Sequence, residues 1–406
     1  MNIVLLHYAA HPIVGGVENV VRQHSRLMAE AGHSVRLVAG RGAQVDPNVD
    51  FVSMPLVDSQ SPEILGLKRE LDIGALPAGF ERLSSQIESR LRELFVDVDW
   101  ILAHNVCSLN KNLALTAALW RLAQAPGVPR IALWHHDLAW ASPRYAAELH
   151  DGYPWDLLRT DWAQTVQVTA SKHRRHELAD LLGLPEDRIR VIPNGIDVLS
   201  FLKIGAEANA FVEEFHLVDA MPLILTPVRI TGRKNIEMAL RVLAALLKRH
   251  PLARLVVTGP TGPHNAANAA YLDSLNALQH ELGLDDRVHF LTIAAGKALS
   301  DEAVGDLYRL ADILLFPSRE EGFGIPVLEA GLAGMPVFCS DIEPLKELGS
   351  DQVTYFPPDG DAANLAEQIS GALGASKGYA LRKRVLREYG WSRIYSQHLA
   401  PLLDGK

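Results

Sequence analysis

From end to end, short apolar runs rich in Val, Ile and Leu alternate in this chain with stretches of helical periodicity. Runs that stay apolar at successive positions suit strands buried on both faces, so the pattern predicts parallel sheets covered by helices on either side. In the first half the predicted strands are 2–8, 34–40, 100–105, 130–136, 166–171 and 189–194. In the second half they are 223–229, 254–259, 288–293, 313–318, 336–340 and 353–358. Between them lie helices such as 235–250, where Ile236, Ala239, Leu240, Leu243, Leu246 and Leu247 share a face. The expected architecture is α/β, with two doubly wound, Rossmann-like units in tandem.

At 406 residues the chain exceeds one ordinary domain and suffices for two cores. The boundary is expected after the turn-forming run Pro193-Asn194-Gly195-Ile196-Asp197. That gives a first domain over 1–200, a second over 201–385, and a C-terminal segment over 386–406. In this last segment Tyr389 to Leu403 form an amphipathic helix expected to pack back on the first domain. Two such domains facing across a cleft would present ligand-binding groups just after their strands.

Composition narrows the function. A hydrophobic fraction of 48% and a charged fraction of 21% are those of a soluble globular enzyme. A net charge of -9 argues against a nucleic-acid binder, which needs a basic face, although a local basic patch could still serve an anionic partner. Cys107 and Cys339 sit inside apolar runs and read as reduced, buried thiols. With no signal-peptide pattern and no membrane-length apolar run, the expected location is cytoplasmic.

Several groups of residues then fall at strand ends. Gly15-Gly16 follows the first strand and opens a helix, where close backbone approach and free N–H groups suit an anion, although a tight turn explains the pair equally well. Arg229 ends the first strand of the second half and Lys234 precedes a helix, so two cations and a helix start can converge on a phosphate. Around Glu320-Glu321-Gly322-Phe323-Gly324-Ile325-Pro326-Val327-Leu328-Glu329, Pro326 suits a first helical turn. Glu321 is then a loop residue and Glu329 lies a turn into the helix, bracketing a backbone nest at Gly322 and Gly324. Each carboxylate can accept bonds from vicinal hydroxyls, so the pair suits a sugar at either end of a diphosphate.

The stretch from Glu321 to Glu329 resembles the E-x7-E motif of the retaining GT4 glycosyltransferases of GT-B fold. The likeness extends to the Gly15-Gly16 loop, PNGID at 193–197, the R-x4-K spacing of Arg229 and Lys234, Thr258-Gly259 and the helix at Trp391. It implies transfer of a hexose from a nucleotide diphosphate sugar, UDP- or GDP-linked, to a hydroxyl acceptor that is a saccharide, small polyol or lipid-linked group. It further implies that Arg229 and Lys234 neutralise the diphosphate and that Gly16 donates to its distal phosphate. Glu329 would hold the ribose and Glu321 the donor hexose. Main-chain atoms of Gly322, Phe323, Gly324 and Ile325 would bind phosphate or sugar, and those near Gly259 and Thr292 the base. The family also carries a donor-contacting histidine at a first-domain strand end. His135 and His136 both fit, His104 is a third candidate, and the choice stays open. Glu321 is read as a positioning residue, because a leaving-group oxygen can take the acceptor proton.

No metal is expected. Asp97-Val98-Asp99 and Asp359-Gly360-Asp361 look like metal-binding DxD pairs but suit turn and cap roles. Lys172-His173-Arg174-Arg175-His176 follows a cap-competent Ser171 and reads as a solvated helix face, with peripheral membrane contact left open. The competing functions are a nucleotide-sugar epimerase of the same architecture and a catalytically silent nucleotide-sugar-binding subunit.

Overall fold

A computed structural model describes residues 1–261 and 266–405. The chain divides into two compact units. Met1–Gly195 with Trp391–Lys406 form unit 1, and Ile196–Gly390 form unit 2.

Unit 1 is built on seven parallel strands: β1 (Asn2–Ala9), β2 (Ser34–Arg41), β3 (Val49–Ser53), β4 (Trp100–His104), β5 (Arg130–His135), β6 (Thr165–Thr169) and β7 (Ile189–Val191). Their order is β3-β2-β1-β4-β5-β6-β7. Unit 2 has six: β8 (Leu223–Thr226), β9 (Arg254–Val257), β10 (Val288–Phe290), β11 (Ile313–Phe316), β12 (Val337–Ser340) and β13 (Thr354–Phe356), in the order β10-β9-β8-β11-β12-β13. Both sheets are wound outward from a central pair, β1/β4 in one and β8/β11 in the other. The carboxyl ends of such pairs are the switch points at which open α/β sheets bind ligands.

The strand period of two explains how each sheet buries both faces. On β1, Val4, Leu6 and Tyr8 join a core with Ile101, Ala103, Leu133 and the helix Phe80–Leu94. Ile3 and Leu5 point the other way, into a core with Leu102, Trp134, the helix Gly16–Glu30 and the C-terminal residues Trp391, Ile394, Leu399 and Leu402. The chain's end is thus part of unit 1. Trp391 packs so closely that a Cβ at Gly195 would lie 2.6 Å from its ring, and Trp100 Nε1 donates to the Leu403 carbonyl at 3.1 Å.

The structure departs from the sequence reading in three places. Residues 61–80, to which no element was assigned, begin with a helix: Ser61 caps Pro62–Leu71, its hydroxyl accepting from the Ile64 amide. The segment 288–293 is only half strand, since Leu291–Ala295 is helical and ends at Gly296 with φ +65°. A short apolar run does not by itself distinguish strand from buried helix. β3 was not expected, because two of its five residues are polar and it forms an exposed edge. Among the described residues no helix is long and apolar enough to cross a membrane.

Candidate functional site

In unit 2 the loops leaving β8, β9 and β11 are tied to one another. A Cβ at Gly259 would fall 2.1 Å from the Val228 carbonyl oxygen and 2.5 Å from the Arg229 amide nitrogen, so only glycine permits this approach. The Thr292 hydroxyl donates to the Gly259 carbonyl at 2.9 Å, which fixes the start of the Leu291–Ala295 helix beneath the same corner. Arg229 itself is exposed, and no hydrogen bond or ion pair engages its side chain among the described residues.

Lys234 and Glu321 form an ion pair, with side chains only 10% and 9% exposed. Each compensates part of the other's desolvation, as two nearly buried charges must. The Arg319 amide donates to the Arg233 carbonyl at 2.8 Å and Arg233 Nη1 to the Glu320 carbonyl at 3.3 Å, binding the two loops together. At Gly324 φ is +108°, and a Cβ there would lie 2.4 Å from Leu345 Cδ2, so the nest requires glycine. The helix Ile325–Leu332 follows, with a proline in its first turn. Phe323 and Ile325 are exposed and Gly322 has open space beside it. Glu329 is half-buried, and its Oε2 accepts a 2.6 Å hydrogen bond from the Tyr308 hydroxyl.

In unit 1 the strand ends carry imidazoles. His7, His24, His104 and His136 form a connected group, in which His104 Nδ1 lies 3.1 Å from His136 Nε2 and the two rings stack at 5.4 Å. His7 Nδ1 bonds the His104 carbonyl at 2.7 Å, and His24 packs on His104, Trp134 and Trp391. Burial keeps these rings neutral: His24 is pushed down to about 3 and His136 to about 4, and His104 lies well below the ordinary value. Asn105, at φ +61°, accepts from the amides of His136 at 2.9 Å and Asp137 at 3.1 Å, which shapes the turn after β5.

Geometry separates the two candidate histidines. As the last residue of β5, His135 points to the sheet face opposite Trp134. It is 4% exposed with Nε2 2.7 Å from Gln167 Oε1, and burial holds it at about 4. That ring is a buried structural group. His136 lies one residue later, is partly exposed, and has no partner on Nδ1 among the described residues. At the helix start, Gly15 is extended and Gly16 opens the helix, but the Glu18 carboxylate folds back so that a Cβ at Gly15 would lie 2.0 Å from its Oε2. Glu18 Oε1 also lies 3.8 Å from His7 Nε2. An anion bound there would have to displace this carboxylate.

Two family models match the chain: Glycosyltransferase Family 4 over residues 14–198 and Glycosyl transferases group 1 over 210–385, which together span most of both units. The chain belongs to the GT4-type glycosyltransferases. The chain is 31% identical over 211 residues to a D-inositol 3-phosphate glycosyltransferase of Nocardia farcinica, covering 51% of this chain and 44% of that one. It is 30% identical over 237 residues to an uncharacterised glycosyltransferase of Methanocaldococcus jannaschii, covering 56% and 57%. A glycogen synthase of Mycobacterium tuberculosis aligns over 97% of this chain and 92% of its own length at 25% identity. The chain spans about half the length of the first two relatives.

Elsewhere the chain's charged motifs have structural partners. Asp359 pairs with Arg319, Asp361 caps the helix Ala362–Ala375, and the Asp99 carboxylate accepts from the Asn2 amide. Arg174, Arg175, His173 and His176 each meet an acidic side chain on or near their own helix. No group of three or more His, Cys, Asp or Glu among the described residues is placed to hold a metal ion. The Thr292 residue is buried and its hydroxyl is bonded to Gly259, while the expectation placed on it concerned its main-chain atoms. Tyr308, Asn105 and Glu18 were not foreseen. Asn105 carried a signal, being one of the few residue types that adopts positive φ at a strand end, whereas Tyr308 reads as an ordinary helix core residue.

Proposed function

We propose that this protein is a retaining hexosyltransferase that moves a sugar from a nucleotide diphosphate donor, UDP- or GDP-linked, to a hydroxyl acceptor without a metal ion. The observation that carries the reading is the lacing of the β8 and β11 loops at the unit 2 switch point, with Lys234 on Glu321 beside the exposed Arg229. A diphosphate is the ligand chemistry that such cations, a glycine nest and a helix start suit best. Lys234 has three donors and spends one on Glu321, so it can bind phosphate without releasing the carboxylate. The remaining acceptor sites of Glu321 suit hexose hydroxyls, and those of Glu329 the ribose.

During transfer the bond from anomeric carbon to diphosphate oxygen breaks while the acceptor oxygen bonds to that carbon on the same face. The acceptor proton passes to an oxygen of the departing diphosphate. Arg229 and Lys234 stabilise the charge that develops there, and Lys234, already held on Glu321, acts as a cation that needs little reorganisation. From unit 1 we assign His136, held neutral, to hydrogen-bond the donor sugar through Nδ1, and Gly16 with its helix start to a phosphate oxygen once Glu18 turns aside. Unit 1 would also supply the acceptor-binding surface.

The test is a panel of UDP-, GDP- and ADP-sugars offered with simple saccharide and polyol acceptors, with product anomers read by NMR and EDTA added to half the reactions. The expected result is turnover of one donor class with retained configuration and no effect of EDTA. Absence of both donor binding and turnover refutes the reading, and inversion or strict dependence on added Mn²⁺ refutes the mechanism.

A further inference from the structure

Tyr308 sits on the helix Asp301–Leu310 and is 5% exposed, with its ring in the unit 2 core beside Leu307 and Leu310. A buried tyrosine must place its hydroxyl on an acceptor, and many carbonyls would serve. Here the hydroxyl leaves the core and reaches Glu329 Oε2 at 2.6 Å, the short distance expected of an O–H donor on an ionised carboxylate. Burial, together with this bond, raises the Tyr308 pKa far above the ordinary phenol value, so the group is a permanent donor.

Glu329 lies only one turn into the helix Ile325–Leu332, whose start is defined by Gly324. A glutamate at such a position has three side-chain torsions, and no other hydrogen bond to its carboxylate is found among the described residues. One oxygen is therefore tied and the other is presented. We infer that Tyr308 is a positioning residue that locks the Glu329 carboxylate for recognition of the donor's ribose hydroxyls, and so sets the protein's preference for ribonucleotide over deoxyribonucleotide ligands. This rests on the proposed ribose role of Glu329. A ligand bound by a preset carboxylate loses less torsional freedom on binding than one that must order the side chain itself.

The experiment is calorimetric titration of the full chain with UDP, GDP and ADP, and then of the tightest binder against its 2′,3′-dideoxy counterpart. It is run on wild type, Tyr308→Phe and Glu329→Gln. Phenylalanine retains the buried ring, and the melting temperature of each variant reports folding. Wild type should prefer the ribonucleotide, and Tyr308→Phe should lose roughly tenfold in ribonucleotide affinity with little change for the dideoxy ligand. Glu329→Gln should erase the preference at least as fully. If wild type and Glu329→Gln bind both ligands alike, the ribose role of Glu329 fails and the inference falls with it. If wild type discriminates and Tyr308→Phe discriminates equally, or weakens both ligands equally, the positioning role alone is overturned.

Discussion

The two units have the same central topology and place very different chemistry at the same point of it. At the β8/β11 switch point stand full charges, with Arg229 exposed and Lys234 paired to Glu321. At the β1/β4 switch point stand neutral imidazoles packed on tryptophan, together with a helix start covered by the Glu18 carboxylate. Topology determines where a ligand meets a doubly wound sheet, whereas the side chains at the strand ends determine which ligand. Charges suit a diphosphate whose own charge grows as it leaves. Uncharged rings suit hydroxyl groups and a reacting carbon that has no formal charge to neutralise.

The sharpest way to break this contrast is to remove a charge from unit 2. Lys234→Ala should lower kcat/KM about 10³-fold, the scale of losing a preorganised group at developing charge, and it also strands Glu321. Equal activity in the variant would dissociate the pair from catalysis. In unit 1 the adjacent histidines should diverge. His136→Ala should cost about 10²-fold in turnover at temperatures where the variant stays folded, with some loss of melting temperature because the buried His104 Nδ1 loses its partner. His135→Ala strands Gln167 in the core and should lower Tm by roughly 4–8 °C, about 2 kcal/mol, with turnover retained below that temperature. The reverse outcome would assign the function to His135.

Acid offers a gentler discrimination. His24, His135 and His136 are held by burial at about 3, 4 and 4, below their ordinary value of 6.5. The unfolded chain therefore binds these protons first. Their contribution is complete above pH 6.5 and is lost as pH falls toward 4, by on the order of 1.4 kcal/mol per pH unit for each such ring. In unit 2, burial likewise holds His289 at about 4. All seven tryptophans lie in unit 1, so selectively excited tryptophan fluorescence reports that unit. Fluorescence-detected stability should drop between pH 6.5 and 4.5 by more than far-UV circular dichroism, which averages both units. Coincident losses would show that the two units share the acid sensitivity. The smallest expected effect is that of EDTA, under which turnover should not change.

The architecture was legible because strands buried on both faces leave an apolar run, and twelve of the thirteen strands were placed that way, although the run at 288–293 is half helix. The loop position of Glu321 and the helical position of Glu329 followed from Pro326, whose lack of an N–H suits a first turn. What sequence could not supply is partnership. Nothing in the spacing of Lys234 and Glu321, or of Tyr308 and Glu329, says that they touch, because their contacts join separate loops and helices through the sheet. The histidine ambiguity was of another kind. It turned on where β5 ends, and a difference of one residue inverts which face a side chain occupies.

The central claim, that the charged switch point of unit 2 holds the nucleotide diphosphate, is tested most directly by calorimetric titration of wild type, Lys234→Ala and His136→Ala with UDP, GDP and ADP. One nucleotide should bind wild type. Lys234→Ala should weaken it by at least about tenfold, the loss of one charged contact, while His136→Ala leaves its affinity nearly unchanged. Binding that survives Lys234→Ala and disappears in His136→Ala would contradict the account.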